Sequence, residues 1–467
     1  MDKAERRVLF RRVFTLAIPI LLQNGITNFV NMLDNLMVGR IGTAEMTGVS
    51  VSGQLVFVFS LCIFGAVSGA GIFSAQFHGK GDEEGVRRTF RFKILISLLI
   101  SAGATVLFIF CGDFFAGLFL RGEGDPAVAE AAAGFAREYL TVMLFSLVPF
   151  ALVQCWSSTL RETGRSVLPL AAGISAMAVN LILNYILIFG KLGAPVLGVR
   201  GAAIATVVSR FVEFFIVAVG TYVTRGRSPF IVGAFSRFRI PVRLALRILY
   251  RGFPLMLNET MWAAGMTALN RFYSVRGLDV VAAMNINVTF YNVFSVAFLS
   301  IGVTIGIVLG QMLGAGEIEK AKRVSRQLLR FSVLVSIAVG GTYASISGAV
   351  PHFYNTTDSV RSTATVLMLI CAASMPFESI ANAEYFTIRS GGQAFITFLF
   401  DSVFVWAVSV PAAVLLAYLT DIPVFFIYGA VQALNVIKCL VGYILLRSGK
   451  WAKNIVKTDK ETIQNES

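Results

Sequence analysis

Long apolar runs recur along almost the whole chain, and no other feature constrains its fold as tightly. They lie near 13–37, 51–77, 94–112, 138–160, 167–190 and 201–223, then 252–273, 283–312, 331–350, 362–388, 394–418 and 424–446. About 20 such residues cross the hydrocarbon core as a helix, and a helix satisfies its own backbone groups where water is absent. The expectation is an all-α integral membrane protein with twelve transmembrane helices. Composition agrees: 56% of the 467 residues are hydrophobic and 14% are charged, against about 25% charge in soluble domains. Little chain remains for a separate soluble domain.

Lys and Arg number 40 and Asp and Glu 26, a formal net charge of +14. Sorted by alternate loops, about 30 of the 40 basic residues fall on one side of the membrane, which predicts that both termini are cytoplasmic. That side holds Lys3 to Arg12, the 80–93 loop, Arg161, Arg165, the 225–251 loop, the 320–330 loop, Arg389 and the tail. Arg225, Arg227, Arg237, Arg239, Arg243, Arg247 and Arg251 carry no acid among them; beside a span this pattern suits anionic lipid headgroups, and nucleic acid is not expected as a partner. The polar, charged tail from 452 onward is expected to be disordered or frayed. Cys62, Cys111, Cys155, Cys371 and Cys439 form no C-x-x-C pair and read as free thiols. Pro19, Gln23, Asn24 and Asp34 interrupt the first apolar run, which therefore reads as an uncleaved span and not as a signal peptide. No G-x-x-x-x-G-K-[S/T] loop occurs, so an ATP-driven motor is not encoded here.

The chain repeats itself. Pro19 and Pro254 are 235 residues apart, and the same ungapped offset relates Gly42 to Gly277, Gly71 to Gly306, Gln76 to Gln311, Gly79 to Gly314 and Gly81 to Gly316. A six-helix unit has been duplicated. Because six is even, both copies enter the membrane the same way, related by a pseudo-twofold axis along its normal. The division expected is an N-lobe over 1–223, a basic cytoplasmic linker over 224–251, a C-lobe over 252–446 and a tail over 447–467. Two lobes around a cavity suit alternating access, with hinge-like prolines at Pro19, Pro149, Pro254 and Pro376.

Charge inside a span costs about 2.5–3.5 kcal/mol on insertion scales, so each intramembrane acid is a functional candidate. Asp34 ends a polar face that includes Gln23, Asn24 and Asn31, at spacings that stack along one helix side; pairing with Arg40 is the plainer alternative. Asn180 and Asn184, at i and i+4 in the fifth span, and Thr206 in the sixth can join Asp34 around Na⁺ or a proton, or can simply hold helices together. The second copy offers Glu259, Glu378, Glu384 and Asp401. Glu259 replaces Asn24 at the repeat offset, so the lobes differ chemically at that level. Arg210 and Glu213 are spaced to neutralise each other.

Several stretches carry a resemblance. Pro19-Ile-Leu-Leu-Gln-Asn, Asp34-x-x-Met-Val-Gly-Arg-Ile-Gly, Gln76-x-x-Gly-Lys-Gly-Asp with its second copy at Gln311, Asn180-Leu-Ile-Leu-Asn-Tyr-Ile-Leu-Ile-Phe-Gly and Gly201-Ala-Ala-x-Ala-Thr are similar to the multidrug and toxic compound extrusion (MATE) family. The resemblance implies a V-shaped pair of six-helix bundles and export of amphipathic organic cations and drugs by H⁺ or Na⁺ antiport. The expected setting is the cell inner membrane, with a monomer surrounded by lipid, small-molecule substrates and no cofactor beyond the coupling cation. By the same resemblance Asp34, Asn180 and Thr206 match an N-lobe coupling site, in which Asn184 replaces a second acid. Glu378 matches a tenth-helix acid, and Glu259 lies about one turn from a seventh-helix acid. Na⁺ at Asp34 or at Glu378 is thus an expectation of the resemblance. A lipid-linked precursor flippase is the alternative within transport, but it calls for a cationic cavity. A membrane enzyme is the alternative outside it, and a His cluster and a nucleophile elbow are both missing from the sequence.

Overall fold

The computed structural model describes residues 3–120, 126–236 and 238–457. Twelve long helices are found among them: α1 (Lys3–Gly39), α2 (Thr43–Lys80), α3 (Glu83–Leu120), α4 (Pro126–Glu162), α5 (Val167–Phe189), α6 (Gly198–Val223), α7 (Val242–Ser274), α8 (Leu278–Gly314), α9 (Ile318–Ile346), α10 (Asp358–Ser390), α11 (Ala394–Leu419) and α12 (Val424–Arg447). Eleven are long and apolar enough to cross a membrane. The exception is α7, whose first turns carry Arg243, Arg247 and Arg251 and whose middle carries Asn258 and Glu259. It begins at Val242, ten residues before its apolar run, so the end of the basic 224–251 segment is helical. Pro19, Pro149, Pro254 and Pro376 all lie inside helices. In α11 the hydrogen bonding widens to π-helical over Leu399–Val403 and Val405–Ser409, a winding that recurs at functional sites.

The chain forms two compact units. The first comprises the described parts of Met1–Leu21, Ala75–Asp82 and Tyr250–Ser467; the second comprises Leu22–Ser74 and the described parts of Glu83–Leu249. The helices α1 and α2 therefore each contribute one end to the first unit and the remainder to the second.

In the first unit, Leu9, Val13, Leu16 and Ile20 form a stripe along α1 at spacings of four, three and four. This stripe packs with Ile305, Val308 and Leu313 of α8, with Val324 and Leu328 of α9 and with Ile388 of α10. The Gln-x-x-Gly motifs meet here. A Cβ on Gly79 would collide with the backbone of Gln311, and one on Gly314 with the backbone of Gln76. The two copies thus cross at reciprocal positions where only glycine lets the backbones approach so closely. A second core joins α7, α8, α9, α10, α11 and α12 around Tyr343, Met368 and Ile427, all with no exposed surface.

The second unit packs on small residues, Ala132 and Ala136 of α4 lying against Val51 of α2 and Ala116 of α3. Its basic connection is anchored. Phe230, 2% exposed, stacks edge-on against Phe90 with ring centres 5.2 Å apart. Arg91 donates to the carbonyls of Ala234 and Gly233, each at 2.8 Å. Arg91 and Lys93, placed by sequence in a cytoplasmic loop, are buried on α3. Arg237 lies outside the described residues.

The expectation of a disordered tail fails for its first part: Trp451, Ala452, Ile455 and Val456 are buried. Apolar residues interleaved with polar ones hid this segment in the sequence, because it has neither helical nor strand periodicity.

Candidate functional site

Asp34 sits in the second unit near the end of α1. The i, i+4 spacing of Asn180 and Asn184 puts both amides on one face of α5, and the structure brings them to Asp34. The Asn184 Nδ2 group donates to Asp34 Oδ1 at 2.6 Å and to Asn180 Oδ1 at 3.1 Å. Asn180 Nδ2 in turn donates to Thr206 Oγ1 of α6 at 3.4 Å. The two asparagines are 4% and 1% exposed, and Asn184 Oδ1 is a buried acceptor without a donor among the described residues. Burying such an acceptor is costly unless something else reaches it. Arg210 of α6 is within electrostatic reach of Asp34, but its guanidinium also pairs with Glu213 at 2.8 Å. All four candidates of this group therefore converge, as one carboxylate, two amides and a hydroxyl.

Other members of the polar face of α1 lie elsewhere. Gln23, eleven residues before Asp34 and so about 16 Å along the helix axis, accepts from Arg161 at 3.3 Å. Asn24 is half-buried at the same level. The side chain of Asn31 lies outside the described residues.

The acids of the first unit divide into separate groups. Glu378 of α10 accepts from the Tyr291 hydroxyl at 2.5 Å and from Ser374 Oγ at 3.2 Å. Glu259 of α7 accepts from the Tyr385 hydroxyl at 3.1 Å and lies 3.8 Å from Arg389. Asp401, in the π-wound part of α11, pairs with Lys438 of α12 at 2.6 Å and accepts from Asn258 Nδ2 at 3.0 Å. Asn258 Nδ2 also lies 3.3 Å from the Tyr385 hydroxyl and so links the two pairs. Glu384 is 1% exposed, and its Oε2 has no hydrogen-bond partner among the described residues. The hydrogen bonds thus group Glu259 with Asp401 and leave Glu378 to Tyr291.

Sequence reasoning missed Lys438, Tyr291 and Lys93. Lys438 interrupts the run Val436-Ile-Lys-Cys-Leu, and a lone base in a span is itself a signal. Lys93, with no exposed surface, meets Glu162 at 2.5 Å and Ser158 at 2.9 Å. Tyr291 carried no distinguishing signal among aromatic neighbours. Among the described residues no group of three or more His, Cys, Asp or Glu is placed to hold a metal ion.

A model of the MatE family matches residues 19–186 and 254–419, two segments whose starts repeat the 235-residue offset. The probable multidrug resistance protein NorM of Thermotoga maritima is 24% identical over 98% of this chain and 96% of its own length. The probable multidrug resistance protein YoeA of Bacillus subtilis is 24% identical over 95% of this chain and 94% of its own. Among solved structures, a mutant of the Vibrio cholerae MATE transporter VcmN superposes with a TM-score of 0.86 at 19% identity, covering 97% of this chain and 99% of that one. A MOP superfamily transporter from Pyrococcus furiosus superposes with a TM-score of 0.84 at 17% identity, covering 94% and 95%.

Proposed function

The chain belongs to the MATE family of multi-pass membrane transporters, and from this premise we propose that it exports amphipathic, often cationic compounds from the cell by antiport, with a proton bound at Asp34 as the coupling ion. The efflux role is supported by relatives named as multidrug resistance proteins that align over almost the whole chain. Forty Phe and thirteen Met residues supply adaptable apolar contacts for varied substrates.

The observation that carries the proton reading is the 2.6 Å bond from Asn184 Nδ2 to Asp34 Oδ1. Hard cations take oxygen ligands, and here an N–H is aimed at the lone carboxylate of the group. Where a second acid would strengthen a Na⁺ site, Asn184 supplies an amide. In the first unit, Arg389 and Lys438 are built-in counter-ions for Glu259 and Asp401, so these acids do not need an external cation. Glu378, bonded to neutral hydroxyls, is the second proton-carrying candidate.

The chemistry follows as a competition. A proton on Asp34 removes the charge that attracts a cationic substrate, and a bound cation disfavours the proton; each ligand weakens the other by the same factor. Proton entry from outside discharges the drug, and proton release inside regenerates the carboxylate. A pyrophosphate-holding flippase is disfavoured, because the buried bases Lys93, Arg389 and Lys438 and the half-buried Arg210 each meet a carboxylate.

Purified protein in liposomes tests the coupling directly. Replacing Na⁺ by K⁺ at fixed pH is expected to leave export of a fluorescent cation intact, and dissipating the proton gradient at fixed Na⁺ to abolish it. The opposite pair of outcomes assigns the coupling to Na⁺.

A further inference from the structure

The Gln-x-x-Gly motifs cross reciprocally through their glycines, but their glutamine side chains have different partners. Gln311 accepts from Arg12 of α1. Gln76 is fully buried and makes three bonds: its Nε2 donates to the carbonyls of Ser390 at 2.9 Å and Lys453 at 3.1 Å, and its Oε1 accepts the backbone N–H of Ile455 at 2.8 Å. Nearby, Lys80 Nζ donates to the Val456 carbonyl at 2.9 Å and Asn454 Nδ2 to the Gly314 carbonyl at 3.2 Å. The 451–456 stretch has no helix of its own. Side chains at the end of α2 take up its backbone groups, which buried backbone requires, while Trp451, Ile455 and Val456 bury their apolar surface at 3%, 4% and 0% exposure.

The placement of this strap has a mechanical consequence. Helices α1 and α2 are continuous, yet 3–21 and 75–82 pack with the second-copy helices while the remainders belong to the other unit. Where alternating access separates the two sequence repeats, the end of α2, which packs in the same unit as α8 and α10, parts from them. We propose that residues 450–457 form a latch that holds the end of α2 against α8 and α10 and that must release before the basic side of the transporter opens. This rests on the export reading above and adds a step to it: latch release gates substrate entry. Gln76 is the positioning residue of the latch, because three of its bonds break when the strap and Ser390 separate from it.

The test uses the full chain with Cys62, Cys111, Cys155, Cys371 and Cys439 replaced by Ala, into which Lys80→Cys and Val456→Cys are introduced. A short bis-methanethiosulfonate reagent bridges the pair. Bridging is expected to cut export at least about tenfold, dithiothreitol to restore it, and each single cysteine to be unaffected by the reagent. Undiminished export with the bridge in place overturns the latch. Absence of export before bridging, in the wild type as well, instead counts against the export reading, and a second measurement then decides the latch without a substrate. In Gln76→Ala, amide hydrogen exchange over 450–457 is expected to speed up about tenfold or more relative to α9. Equal exchange in the variant and the wild type overturns the proposal.

Discussion

A carboxylate inside a span needs a base, a set of donors or a proton, and four of the acids here meet that need in two ways. Asp34 and Glu378 are met by neutral donors, Glu259 and Asp401 by bases. Asp34→Asn, neutral like the protonated acid, is therefore expected to abolish gradient-driven export, to weaken binding of a cationic substrate and to remove the pH dependence of that binding. Export assays and equilibrium binding on the same preparation check this. Glu378→Gln is expected to lower export as well, and full retention in both variants removes both residues from coupling. Lys438 belongs to the opposite class. Lys438→Met leaves the largely covered Asp401 without its base and is expected to destabilise the protein by about 3 kcal/mol, read as a lowered Tm in detergent. Adding Asp401→Asn to Lys438→Met is expected to recover most of the loss, and a double-mutant cycle without coupling shows that the pair is not formed. Helical spacing made the Asp34 group legible in the sequence, since Asn180 and Asn184 had to share a face of α5. It could not pair Glu259 with Arg389 or Asp401 with Lys438, which depend on contacts between helices that no periodicity encodes.

At the scale of elements, the apolar runs marked the spans because twenty residues without charge have few other uses. They misplaced the start of α7, since Arg243, Arg247 and Arg251 end an apolar run without ending a helix; arginine is a good helix former. They also gave no sign of the buried strap, whose order comes from side chains of α2. The repeated glycines were visible as a pattern, and the structure supplies their reason in the crossing of α2 over α8. Gly79→Ala and Gly314→Ala are each expected to cost about 1–3 kcal/mol, because the added methyl meets a backbone carbonyl that cannot rotate away. The reciprocity predicts losses of similar size at the two sites, so thermal unfolding that responds at only one of them contradicts a symmetric crossing. Gly53, which has open space around it, provides the control.

For the whole molecule, the number of protonated groups fixes the energetics of transport. If Asp34 alone exchanges its proton, one H⁺ enters for each monovalent cation that leaves, and no net charge crosses the membrane. The membrane potential, worth about 2.3 kcal/mol per charge at 100 mV, then does no work on the cycle. One unit of pH difference supplies about 1.4 kcal/mol and sustains about a tenfold substrate gradient. In liposomes, a valinomycin clamp of the potential is accordingly expected to leave export of a monovalent cation unchanged, while nigericin, which exchanges K⁺ for H⁺, abolishes it. Inhibition by valinomycin under the same conditions means that a second charge moves, and Glu378, bonded among the described residues to the neutral Tyr291 and Ser374, is the group to which that proton is then assigned. In that case Glu378→Gln is expected to make export insensitive to the clamp while Asp34 continues to drive it, so the voltage dependence of the variant separates one-proton from two-proton exchange.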